Sequence, residues 1–133
     1  VRLNGTSDIK WENFELFKQF PNINFYDYTK QPKRMMKYIN GQYESNYHLT
    51  FSLGSSNMEA AKQILKMGGN VAAVFRNKKL PRKFLGYRVF NADKSDLRFK
   101  DPQNIIAGLY AKGKARKDKT GFVQDVIQWD IKI

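Results

Sequence analysis

A recurring word order constrains this chain more than any other feature. "NYHLTFSLG" at 46–54 reads as a strand, and "SSNMEAAKQILKMGG" at 55–69 reads as a helix with a Ser/Asn start and a Gly-Gly stop. "NVAAVF" at 70–75 is an apolar run short enough for a strand buried on both sides. The same order precedes it. "NINFYDY" at 22–28 alternates as a strand does, and "QPKRMMKYI" at 31–39 opens with a proline suited to a first helical turn and stops before Asn40-Gly41. Strand and helix in alternation are the mark of parallel βα units, so the expected class is α/β with a mostly parallel sheet of about four to six strands.

The flanks are less regular. Trp11, Phe14, Phe17 and Phe20 recur every third place and predict a short helix closed by Pro21. Residues 77–103 form a basic excursion without a clean helix, holding one short extended piece from Phe84 to Phe90. A buried strand is expected at "NIIAGLYA", and the tail "FVQDVIQWDIKI" predicts a final half-exposed strand. With 133 residues, 41% of them hydrophobic, the chain has apolar mass for one core, and a single domain over 1–133 is expected.

Charge narrows the partner. Lys and Arg number 24 against 12 acids, a formal net charge of +12, which points to an anionic partner such as nucleic acid or another polyanion. No stretch approaches the roughly 20 apolar residues of a membrane span and no leader is evident, so no membrane partner and a cytoplasmic location in a bacterial host are expected. Cysteine is absent, which excludes disulfides, thiolate nucleophiles and cysteine-held zinc or iron–sulfur centres; with one histidine, paired-histidine metal motifs are excluded too. No cofactor is expected.

Ligands of parallel α/β folds gather at the carboxyl ends of strands. Two basic stretches fall near such ends. "RNKKLPRKFLGYR" offers Arg76, Lys78, Lys79, Arg82, Lys83 and Arg88, with Phe84 and Tyr87 between them, a mixture suited to phosphate contacts and base stacking. "AKGKARKDKTG" offers Lys112, Lys114, Arg116 and Lys117, with Gly113 and Gly121 allowing backbone approach, although its spacing is not that of a Walker loop.

Acids are the alternative. Asp8, Asp27 and Asp93 fall at or near strand ends and are candidates for a metal or acid–base group if they converge. Asp93, Asp96 and Asp101 are interleaved with Lys94, Arg98 and Lys100, which favours an ion-pair turn over a metal loop. His48, flanked by Tyr47 and Leu49, reads as a packing residue, and no Ser/His/Asp catalytic arrangement is supported.

Several stretches together, "VRLNGTSDIKWE", "FPNINFYDYTK", "NYHLTFSL", "GGNVAAVFR" and "SDLRFKDPQNIIAGLYAKGKARKDKTGF", resemble the carboxyl-terminal portion of an uncharacterised family carried by bacteriophages and mobile elements. Longer members look like partial barrels of the radical-SAM type, with a cysteine cluster upstream that has no counterpart in these 133 residues. The resemblance implies a chain that begins in mid-barrel, with Val1 already in a strand, and that lacks any iron–sulfur chemistry of its relatives. Exposed sheet edges would then favour self-association. The expected function is nucleic-acid or polyanion binding by a viral protein without catalysis of its own. An enzyme-derived domain holding a phosphorylated or nucleotide-like ligand, and an inhibitor of a host defence protein, stay open beside it.

Overall fold

The computed structural model describes residues 2, 10, 15–76, 79–94, 97–111 and 123–124. Along these the elements are α1 (Leu16–Gln19), β1 (Phe25–Thr29), α2 (Pro32–Ile39), β2 (Tyr47–Ser52), α3 (Met58–Lys66), β3 (Val71–Phe75), β4 (Lys83–Phe84), β5 (Tyr87–Asn91), β6 (Ile106–Tyr110) and β7 (Val123–Gln124). Two 3₁₀ turns, Ala92–Lys94 and Arg98–Lys100, lie between β5 and β6.

The strands form one open, mostly parallel sheet in the order β1-β2-β3-β6-β5-β4. Seven strands take part, more than the four to six expected, because the basic excursion supplies two of them. Only β4 runs antiparallel, against β5. Beyond β1, Arg2 makes a parallel bridge to Tyr26, and its guanidinium carbon sits 4.9 Å from the Tyr28 ring centre.

Central strand β3 carries the apolar run, which is what a strand covered on both faces requires. Val71, Ala73 and Phe75 point into the larger core, while Ala72 joins a smaller one on the opposite face. One of its edges is shared. Val71 and Ala72 pair with Phe51 and Ser52 of β2, then Val74 and Phe75 pair with Val123 and Gln124 of β7. The sheet therefore forks where β2 turns away at Leu53-Gly54. Val123 is 3% exposed and Gln124 is half-buried, the alternation expected of a half-exposed strand; the remainder of the tail lies outside the described residues.

Helices α2 and α3 pack on the same face, burying Met35, Ala61, Ile64 and Leu65 against Phe25, Leu49 and Phe51. Both end in the same way. Gly41 N–H donates to Tyr38 O and Gln42 N–H to Lys37 O, while Gly68 N–H donates to Leu65 O and Gly69 N–H to Ile64 O. These are Schellman motifs, which need a left-handed residue just past the helix, and Gly41 (φ 76°) and Gly68 (φ 96°) supply it. Gly69 is required for space: a Cβ there would lie 2.7 Å from Ile64 and 2.8 Å from Ile39. The helix stops expected from Asn40-Gly41 and from Gly-Gly are thus present.

The amino end of α3 differs from expectation. Asn57 is its N-cap but makes no side-chain cap. Its amide instead braces the preceding loop, accepting from Gly54 N–H at 2.7 Å and donating to Ser52 O at 3.0 Å. Of the helix expected from Trp11 to Phe20, Leu16–Gln19 is described and helical.

Among the described residues, the opposite face of the sheet is covered by residues 92–94 and 97–105 rather than by an α-helix. Phe99 packs on Tyr26 and His48, with ring centres 6.0 and 5.8 Å away, and Ala92 and Ile105 lie over Ala72 and Ala107. His48 is thus a packing residue, as its strand position suggests. Burial lowers its pKa below the ordinary histidine value, because the charged ring would lose hydration.

The excursion after Arg76 corrects one expectation. What reads as a single extended piece from Phe84 to Phe90 is a two-stranded hairpin, β4 and β5, turning at Leu85-Gly86. Both turn residues have positive φ, 54° and 84°, the geometry of the tight turn whose twist matches antiparallel strands. Leucine is a poor choice for that backbone, since its Cβ crowds the following carbonyl. It is held there by packing, because Leu85 is partly buried against the main core.

Candidate polyanion interface

The hairpin lies at the sheet's outer edge, beyond β6, and its register determines which cations meet. Phe84 pairs with Tyr87, and Lys83 pairs with Arg88. Successive residues of a strand face opposite ways, so the aromatic pair turns inward, where Phe84 meets Phe75 edge-on at 5.0 Å, and the cationic pair turns outward. Lys83 and Arg88 are both exposed, and neither meets an acidic partner among the described residues. Like charges placed directly across a strand pair cost stability. Lys79, also exposed, lies just before the hairpin, and Arg82 continues its ladder, with its carbonyl accepting from Val89 N–H at 2.9 Å.

Close fit holds the hairpin against the sheet. β5 pairs with β6 at Val89–Ile106, Phe90–Ala107 and Asn91–Gly108. A Cβ at Gly108 would lie 2.6 Å from Val89 and 3.2 Å from Leu80, so only glycine lets Val89 and the hairpin lead-in sit down on β6.

The carboxyl edge of the sheet holds a second group. Arg76 closes β3 and donates its N–H to Gln124 O at 2.9 Å. Lys30, directly after β1, reaches the 54–57 loop: a Cβ at Gly54 would lie 3.6 Å from its Nζ. Lys30 is absent from the basic stretches singled out above, because nothing next to it in sequence is basic apart from Lys33 and Arg34 of the following helix. Its place immediately after a strand was the available signal.

The predicted basic residues therefore fall at two places. Arg76 is at a strand end as expected, whereas Lys83 and Arg88 belong to the edge hairpin and not to a strand-end loop. Lys78, Lys112, Lys114, Arg116 and Lys117 lie outside the described residues, as does Asp8.

Asp27 and Asp93 are not brought together. Asp27 is fully buried, 3.8 Å from Arg34 of α2, whose guanidinium also donates to the Tyr47 hydroxyl, and its Oδ1 accepts from Tyr28 N–H at 3.1 Å. Its position in an alternating strand pointed to a strand-end ligand; in the fold it is the core counter-ion of Arg34, a role that a carboxylate buried among apolar side chains needs. Asp93 is exposed, and its Oδ2 accepts from Tyr110 N–H at 2.8 Å, which ties the 92–94 turn to β6.

Asp101 and Arg98 form the ion-pair turn that the interleaved charges suggested, with Nη1 and Oδ2 3.3 Å apart. Burial pushes the Asp101 carboxyl above the usual aspartate range, and the nearby Arg98 charge partly opposes that. Arg98 also donates to Ala92 O at 3.1 Å, so the pair fastens the segment that covers the sheet. Among the described residues, no three His, Asp or Glu side chains gather closely enough to hold a metal. No described helix is long and apolar enough to cross a membrane.

Neither curated proteins nor solved structures yield a match to this chain. A family model does, over residues 1–126, which includes both core faces, the hairpin and the basic stretch after β6. The chain belongs to the phage-type family described as gene product 88.

Proposed function

We propose that this phage-type protein binds nucleic acid through the outward face of the β4–β5 hairpin and the adjoining basic loops, without catalysing a reaction. The observation that carries the reading is the Lys83–Arg88 pair. Two exposed cations held opposite each other, with no acidic partner among the described residues, are unfavourable alone and favourable beside phosphates. The chain's net charge of +12 supports a polyanion over a small anion. The described α-helices, which lie on one face of the sheet, also suit the arc of a larger barrel, the likeness suggested by the family resemblance.

Salt dependence is the test. Binding to a labelled duplex, measured from 50 to 300 mM salt, should weaken with a log–log slope of about −0.9 per phosphate contacted. Lys83→Ala with Arg88→Ala should make that slope shallower by about two units of contact. An unchanged slope would move the footprint elsewhere, and a salt-independent affinity would refute polyanion binding.

A further inference from the structure

A second concavity lies away from the hairpin, at the amino-terminal edge of the sheet. It measures roughly 620 Å³ and is bounded by the starts of β2 and β3 and by the Schellman turns that end α2 and α3. Its walls are aromatic: Tyr38, Tyr43 and Tyr47 cluster with Tyr47 at the centre, 6.5 Å from Tyr38 and 5.9 Å from Tyr43. Gly41, Gly68 and Gly69 line it as well, so backbone takes the place of side chains at the mouth.

Its polar groups set the ligand class. Although the chain has 24 Lys and Arg residues, none of the described ones lines this cavity. Among the described residues the sole lining acid is Glu44, which is already within 4.0 Å of Lys18. Ser45 and Gln103 line it with neutral hydrogen-bonding groups that no described residue engages, and His48 lines it beside them with its ring against Phe99. Burial keeps the His48 ring neutral over a wider pH range than a free imidazole. Phosphate would find no counter-charge here. A cation would meet one carboxylate already shared, on a chain of net charge +12. A flat, uncharged ligand gains from stacking on tyrosine and from donors and acceptors along its edge.

We propose that the cavity walled by Tyr38, Tyr43 and Tyr47 at the amino edge of the sheet binds an uncharged planar heterocycle of the nucleobase kind. The site shares no residue with the hairpin and does not rest on the nucleic-acid reading. A nucleoside is the natural probe, since it carries the ring without the phosphate.

The experiment is a titration of ¹⁵N-labelled protein with adenosine, followed at the amides of Gly41, Gly68 and Gly69, with ribose and tetramethylammonium as controls. Adenosine should produce saturable shifts with Kd on the order of 0.1 mM, as a ligand of its size allows. Adenosine 5′-monophosphate should bind no more tightly than adenosine, because no cation awaits its phosphate. Tyr43→Phe keeps the ring and should leave Kd within about twofold, whereas Tyr43→Ala should weaken binding roughly five- to a hundredfold. Should Tyr43→Ala fail to fold, exposed Gln103→Ala replaces it, with a severalfold loss expected. No shift at about 5 mM adenosine overturns the proposal. So do shifts equalled by ribose, shifts with tetramethylammonium alone, or an affinity unchanged by the folded variants.

Discussion

Arg34 of α2 and Asp27 of β1 stand 3.8 Å apart with both side chains fully buried, and Tyr47 accepts the remaining reach of the guanidinium. Such a pair contributes little net stability, because desolvation offsets attraction, but breaking it strands a charge in the core. Asp27→Ala should therefore cost about 3–5 kcal/mol in urea denaturation. Asp27→Leu combined with Arg34→Met should recover most of that loss. A single variant costing under about 1 kcal/mol would mean that water reaches the site.

At the hairpin, stability and binding should move in opposite directions. Lys83→Glu replaces a like-charge pair with an opposite-charge one and should raise stability by roughly 0.2–1 kcal/mol. The same change should weaken duplex binding, since it removes one cation and adds an anion to the outward face. Thermal melting and a binding titration on one preparation check both signs. A parallel fall of stability and affinity would mean that Lys83 acts through the fold.

Gly108 and Val89 should be coupled. Gly108→Ala places a methyl 2.6 Å from Val89 Cγ1 and should destabilise by about 1–3 kcal/mol, the usual cost of overpacking. Val89→Ala opens that space at its own cost. In the double variant the penalty should be at least about 0.5 kcal/mol less than the sum of the two. Simple additivity in the denaturation cycle would place the strain on Leu80 instead.

His48 gives a pH signature that one residue explains, because the chain has no other histidine. Its folded pKa is lowered by burial, so the unfolded chain binds the proton more readily. The resulting stability is fully present above the unfolded pKa of about 6.5 and is lost as pH falls from there toward the folded pKa. Asp101, whose folded pKa is raised, acts with the opposite sign: its contribution is present at low pH and fades as pH rises through the folded pKa. His48→Gln should flatten the stability profile just below about pH 6.5. A wild-type slope that survives in the variant would assign the titration to other groups.

Much of the architecture was legible because local pattern reports directly on burial. The run from Val71 to Phe75 has no polar face to offer, so it had to lie between covered faces. Proline at the head of α2 and glycine after each of α2 and α3 marked helix limits that the Schellman turns realise. The interleaved Arg98 and Asp101 announced their own pairing, being one helical turn apart.

Contacts between distant segments were decided by the tertiary structure. Leu85-Gly86 is not a turn word that sequence favours, and it turns only because the main core holds Leu85 at positive φ. The opposition of Lys83 and Arg88 follows from that turn, for a register shifted by one residue would have sent both cations inward. Asp27 shares an alternating face with Phe25, and what allows a carboxylate to be buried there is where α2 delivers Arg34. Periodicity tells which side of an element is covered. What covers it is settled by the packing of segments that sequence leaves far apart, and there the candidate interface and the tyrosine cavity take their shape.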